Sequence, residues 1–278
     1  METSSTTDAA NAGSRDETKA ILECCGLSLR FGGLVALDEV SFSVQPGKLL
    51  AVLGPNGAGK SSLFNCINGV YKPQQGSVLL DRVDISSWSP HRRARAGLAR
   101  TFQNLALFEE LSVLDNLMAA RNHLMKRGAI AGMIWFGGAR REELAHRERV
   151  EEIIDFLDLA PMRHARVASL AYGWRKRVEL GRALCMEPKV LLLDEPVAGM
   201  NQEETEAMAR YILDLRDEWG VTQVLVEHNL GVVMDIADQV VVLDFGKVIA
   251  DGTPEEVERV PAVIAAYLGE ARSQQSHT

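Results

Sequence analysis

The residues with the plainest chemical purpose are Gly54-Pro55-Asn56-Gly57-Ala58-Gly59-Lys60-Ser61, a full match to G-x-x-x-x-G-K-[ST]. Glycines let a loop turn its backbone N–H groups inward, and a helix that follows presents its positive end to an anion. Lys60 would reach the β- and γ-phosphates, the Ser61 hydroxyl can ligate Mg²⁺, and Ser62 opens the helix behind them. The pattern predicts a nucleoside triphosphate site.

A second chemical cluster is Val190-Leu191-Leu192-Leu193-Asp194-Glu195-Pro196, an apolar strand that ends in two adjacent carboxylates. The C-terminal end of a strand is where open α/β sheets bind ligands. Asp194 would hold Mg²⁺ directly or through water, and Glu195 could take the proton of an attacking water. His228 closes another apolar strand in Val226-Glu227-His228, so both strand ends can meet on one edge of a sheet. Gln103, in Arg100-Thr101-Phe102-Gln103, carries little by itself. In Leu170-Ala171-Tyr172-Gly173, Gly173 stands ahead of a basic helix and offers a further anion-binding helix end. Taken alone, that stretch is also an ordinary turn.

The elements that must hold these groups can be read from periodicity. Leu49–Leu53, Val190–Leu193, Gln223–Val226 and Gln239–Leu243 are short apolar runs, with Ser62–Asn68 and Gln202–Glu218 as helices among them. All-apolar strands alternating with helices predict a parallel sheet covered on both faces. Before them the texture is antiparallel: Ser41–Val44 alternates, Pro46-Gly47 turns the chain, and Ser77–Leu80 and Val83–Ile85 flank Asp81-Arg82 as a hairpin. From Pro90 to Arg177 the pattern is helical, with Val150, Ile153, Ile154 and Leu157 on one face and a Gly-rich break over Gly128–Gly138. This block reads as an insertion into the α/β core. Residues 1–19 and 271–278 have the composition of flexible tails.

Composition narrows the function classes. Lys plus Arg number 30 against 38 Asp plus Glu, a net charge of -8, which argues against a general nucleic-acid binder. Between Ser86 and Arg149, eleven basic residues face six acidic ones. That stretch is either a solvated helical face or a surface held near anionic headgroups or a partner. No apolar run approaches the ~18 residues of a membrane span, and the first nineteen residues carry no secretory pattern, so a cytosolic chain is expected. Cys24, Cys25, Cys66 and Cys185 show neither disulfide nor zinc spacing.

The P-loop, glutamine, Gly-containing turn, strand-Asp-Glu and strand-His, in this order, resemble the ATP-binding subunits of ABC transporters. Leu29-Arg30-Phe31-Gly32-Gly33, Leu170-Ala171-Tyr172-Gly173, Ala198-Gly199-Met200-Asn201 and Ala266-Tyr267-Leu268-Gly269-Glu270 are similar to the LivG-type subunits of branched-chain amino acid importers. The resemblance runs from about Ile21 to Gly269. It implies an α/β fold: a P-loop NTPase core of the RecA-like kind over 20–89 and 178–270, with an N-terminal antiparallel β subdomain and an inserted α-helical subdomain over 90–177. It implies that Phe31 stacks on adenine and that Gln103 senses Mg²⁺ and the γ-phosphate. His228 would orient the attacking water. Leu170, Ala171, Tyr172 and Gly173 would reach ATP held by a partner's P-loop. The implied partners are a second ABC ATPase subunit, two membrane permeases and, indirectly, a periplasmic substrate-binding protein. The implied location is peripheral, at the cytoplasmic face of the inner membrane.

Three residues depart from the broader pattern. Ala171 stands where serine is common in L-S-G-G-Q, and Trp174 where glutamine is. Asn201 stands where many ABC proteins carry aspartate. Ala171 belongs to the LivG-type resemblance, whereas Trp174 has no explanation in the sequence. They bear on whether one ATP site is weaker. ABC-type ATPases of DNA or ribosomes are the competing reading, but they carry two cassettes or long coiled coils, and this chain has one P-loop. A GTPase is disfavoured because no N-K-x-D occurs. The separate, unfused chain and the LivG-like details point to import, with Leu, Ile and Val as default cargo and other amino acids, aromatic acids or small carboxylates as alternatives.

Overall fold

The computed structural model describes residues 20–101, 107–121, 124, 138–228 and 230–267, with 138–142 as backbone alone. Gln103, both tails and nearly all of the 128–138 segment lie outside the described residues.

Two sheets form the scaffold. The larger has the order β10-β9-β3-β8-β7-β6. Its strands are β3 (Leu49–Leu53), β6 (Leu98–Arg100), β7 (Val190–Asp194), β8 (Thr222–Val226), β9 (Gln239–Asp244) and β10 (Lys247–Gly252). All neighbours are parallel except the β9/β10 hairpin at one edge. Every residue of β3, β7 and β8 is buried, as expected for central parallel strands covered on both sides. Side chains alternate between two cores. Leu49, Ala51, Leu53, Leu191 and Leu193 pack toward the helical side. Leu50, Val52, Val190 and Leu192 pack toward the N-terminal sheet.

That smaller sheet is antiparallel, in the order β2-β1-β4-β5, with β1 (Leu22–Phe31), β2 (Leu34–Val44), β4 (Gln75–Leu80) and β5 (Val83–Asp84). The β4/β5 turn falls on Asp81 and Arg82, both at positive φ, the backbone that a two-residue hairpin with right-handed strand twist requires. Between the sheets lies α1 (Lys60–Asn68), with Leu63, Phe64, Cys66 and Ile67 fully buried.

The 90–177 stretch is not helical throughout. It contains α2 (Pro90–Arg95), then β6, then α3 (Val113–Arg121), α4 (Gly138–Phe156), two short 3₁₀ turns and the start of α5 (Tyr172–Leu184). Strand β6 pairs with β7 from Leu98↔Val190 to Arg100↔Leu192. The fully buried Arg93 of α2 donates to the Cys66 and Ile67 carbonyls at the end of α1. The helical pattern from residue 90 thus conceals β6, because a three-residue strand is too short to show periodicity. At the other end α5 runs past 177, burying Val178, Leu180, Ala183 and Leu184 in the core beside the sheet. The charge count also shifts. Arg93, Arg100 and Arg121 are covered and bonded inside the protein, so the eleven cations overstate the basic surface.

After β7 comes α6 (Gln202–Asp217), after β8 comes α7 (Leu230–Ile236), and α8 (Pro254–Glu258) with a last helical stretch over 261–267 ends the described chain.

Candidate active site

The loop between β3 and α1 is fixed by glycine. Gly54, Gly57 and Gly59 have φ of 148°, 82° and 107°. A Cβ on Gly54 would lie 2.2 Å from the Leu243 carbonyl oxygen, and one on Gly59 would lie 2.5 Å from that of Ala36. No other residue fits at either place. Gly59 caps α1 with no side-chain bond, and the first turn contains no acid, so the helix end is left to attract an anion. Lys60 is 6% exposed, and its ammonium donates to the carbonyls of Gly54 at 2.6 Å and Pro55 at 3.0 Å. The cation is thus held within the loop by neutral acceptors.

Above the loop opens a cavity of about 410 Å³. Asn56–Ser62 form its floor, Phe31, Leu34, Val35 and Ala36 one wall, and Glu195 with His228 the other. Phe31 is 45% exposed, lines the cavity and meets Tyr71 in a T-shaped ring contact at 5.2 Å. Glu195 takes φ 49°, and its N–H bonds to the Val226 carbonyl. Its Oε1 lies 2.7 Å from His228 Nε2. The two strand ends β7 and β8 are adjacent, and the acid and the imidazole they carry touch across that gap.

Asp194 ends β7, 3% exposed. Its carboxylate accepts from Arg100 at 2.6 Å, and Arg100 also donates to Asn65 of α1 at 2.7 Å. Its N–H goes to Thr101 Oγ1. The arginine ties the β6 edge, the P-loop helix and the acidic strand end together. Glu227, 3% exposed, accepts from the backbone N–H groups of Val197 and His228, so one buried carboxylate links the loop after Glu195 to the histidine. Neither Arg100 nor Glu227 was given a role from the motifs, although both lie within the quoted stretches Arg100–Gln103 and Val226–His228. An acid straight after an apolar strand was the available signal for Glu227.

Leu170-Ala171-Tyr172-Gly173 is not part of this cavity. Ala171 caps α5 without a side-chain bond, the first turn of α5 is free of acid, and Tyr172 is 43% exposed. A Cβ on Gly173 would lie 2.2 Å from Glu204 Oε1, so glycine lets α5 sit against the start of α6. Gly199 packs under the Tyr172 ring. Asn201 caps α6: its side chain accepts from the Glu204 N–H at 2.9 Å while Glu204 accepts from the Asn201 N–H. That reciprocal bond works equally with asparagine or aspartate. Trp174 acquires a purpose too. Arg177 lies 4.8 Å from its ring centroid and 5.4 Å from that of Tyr211, joining α5 to α6. Burial, and the Tyr211 hydroxyl donating to Asp158 at 2.6 Å, push the Tyr211 phenol up to about 12.

Comparison with known proteins shows the family. The ABC transporter family matches residues 37–198, and the branched-chain amino acid ATP-binding cassette transporter family matches 247–273. The high-affinity branched-chain amino acid transport ATP-binding protein BraF of Pseudomonas aeruginosa is 40% identical over 254 residues, 91% of this chain and 100% of its own length. The corresponding LivG protein of Escherichia coli K12 is 37% identical with the same coverage. Among solved structures, an ATP-binding cassette of an ABC transporter in its ADP conformation superposes with a TM-score of 0.79 at 32% identity, covering 91% of this chain and all of that one. A nucleotide-free ATP-binding cassette from an ABC transporter gives 0.77, also at 32% identity, covering 90% and 99%. The chain belongs to the ATP-binding subunits of ABC transporters, in their branched-chain amino acid branch, and is an ATP-hydrolysing transporter subunit.

Proposed function

We propose that this subunit hydrolyses Mg²⁺-bound ATP to energise uptake of branched-chain or related hydrophobic amino acids through two partner permeases. It would work as one half of an ATPase dimer at the cytoplasmic face of the membrane. The cargo rests on the names of BraF and LivG, since no residue of this chain would touch it. The observation that carries the reading is the meeting of Glu195, His228 and the P-loop around one cavity.

In this mechanism the Phe31 ring stacks on the base, giving affinity with little base discrimination. The Lys60 ammonium exchanges the Gly54 and Pro55 carbonyls for phosphate oxygens, a stronger charge-assisted pairing. The donor set for the metal is Ser61 Oγ and the Asp194 carboxylate, with Gln103 as the third expected member. Among the described residues no group of three His, Cys, Asp or Glu side chains gathers to cage a metal. Few protein oxygens, completed by phosphates and water, suit Mg²⁺. When bound, the ion would neutralise charge on the β- and γ-phosphates. Glu195 takes the proton of the attacking water, and His228, on its Oε1, holds that carboxylate in place and faces the γ-phosphate side. Leu170–Gly173 completes the site of a second subunit. Binding therefore favours the closed dimer through contacts that both halves supply.

Glu195→Gln tests the assignment. The variant should bind ATP as tightly as the parent while hydrolysis falls by about 10²-fold or more. Turnover within a few-fold of the parent, measured by phosphate release, would assign the base elsewhere.

A further inference from the structure

The C-terminal segment reaches the P-loop. Tyr267, in the helical stretch over 261–267, accepts through its hydroxyl from the N–H of Gly54 at 3.0 Å, across 213 residues of chain. Gly54 lies one residue beyond the last β3 pair, Leu53↔Val242, so its amide has left the parallel ladder at the point where the loop begins. On its other side the Gly54 carbonyl accepts from the Lys60 ammonium at 2.6 Å. The peptide groups flanking the Gly54 Cα are thus each pinned, one by Tyr267 and one by the lysine. The Tyr267 ring packs partly buried on the helical-side core, and Val263, 6% exposed, anchors the same stretch.

We infer that Tyr267 is a positioning residue for the P-loop: its hydroxyl fixes the conformation of Gly54, and through it the carbonyl that holds Lys60. The last helical stretch is thereby a working part of the nucleotide site. The inference rests on the proposed nucleotide reading of that site. A buried donor that loses its acceptor is costly, so without the hydroxyl the free chain shifts toward loop conformations that satisfy the amide differently. Apparent affinity then falls with the fraction of chains that remain competent to bind.

Tyr267→Phe in the full chain keeps the ring and removes the acceptor. Titration with a fluorescent ATP analogue should show a dissociation constant raised about fivefold or more. The KM for ATP should rise in step while kcat stays within about twofold. Hydrogen exchange of the peptide spanning the P-loop should quicken in the nucleotide-free protein. Parental affinity and parental exchange, even with a lowered melting temperature, would overturn the inference and leave the bond purely structural. Lys60→Ala measured alongside separates the two failures. If Lys60→Ala also binds normally, the nucleotide reading fails. If it alone loses binding, only the role of Tyr267 does.

Discussion

The molecule carries two glycine turns that open helices, and they are surrounded differently. At Gly54–Ser61 the loop has an aromatic wall at Phe31, a cation at Lys60 and an acid–imidazole pair at Glu195 and His228, all around one cavity. At Leu170–Gly173 there is a helix end without a side-chain cap and an exposed Tyr172, and these residues do not line that cavity. Both use glycine for close approach. At Gly54 and Gly59 the neighbours are backbone carbonyls, whereas at Gly173 the neighbour is the Glu204 carboxylate of the next helix. The first turn lines a cavity within the chain. The second is supported from below by α6 and leaves Tyr172 exposed, as the proposed shared site of two copies requires.

This contrast can be broken most directly at Lys60. Lys60→Ala should abolish ATP binding in equilibrium titration, whereas any change at the second turn should leave that binding intact. Tight binding by Lys60→Ala would remove the distinction altogether. Ala171→Asp, at the exposed cap of α5, sets a carboxylate where a partner's triphosphate would approach. It should leave binding to the single chain within about twofold yet lower hydrolysis by more than about tenfold. Equal losses of both would mean that the turn serves its own chain. Trp174→Gln should act on stability, removing a cation–π and packing link worth ~1 kcal/mol and lowering the melting temperature by about 2–4 °C. A large loss of kcat with unchanged melting would give the indole a role in turnover. The smallest effect is at the α6 cap: Asn201→Asp should cost close to nothing in thermal unfolding, against ~1 kcal/mol for Asn201→Ala. An equal loss in both would show that the amide matters for more than capping.

Much of the site was legible because its chemistry is local. The P-loop, the carboxylates of Asp194 and Glu195, and His228 each lie at the end of a continuous apolar run, and such runs announce central parallel strands without knowledge of their neighbours. The cap at Asn201 was not read from the sequence, where Asn201 stood only as a departure from aspartate; its bond to Glu204 comes from the structure. Strand β6 was hidden inside a helical pattern because three residues carry no period, and only pairing with β7 makes them a strand.

The sequence alone determined that the P-loop, Glu195 and His228 would end neighbouring strands and that a doubly covered sheet would carry them, since motif spacing and strand burial are properties of neighbouring residues. Tertiary structure decided what holds those groups. Arg100 on Asp194, Glu227 between Val197 and His228, and Tyr267 on Gly54 are contacts between residues 94, 30 and 213 positions apart in the pairs the bonds record. Such partners are chosen by the packing of whole elements against one another. A side chain's own type says that it can donate or accept, and only the fold says to whom.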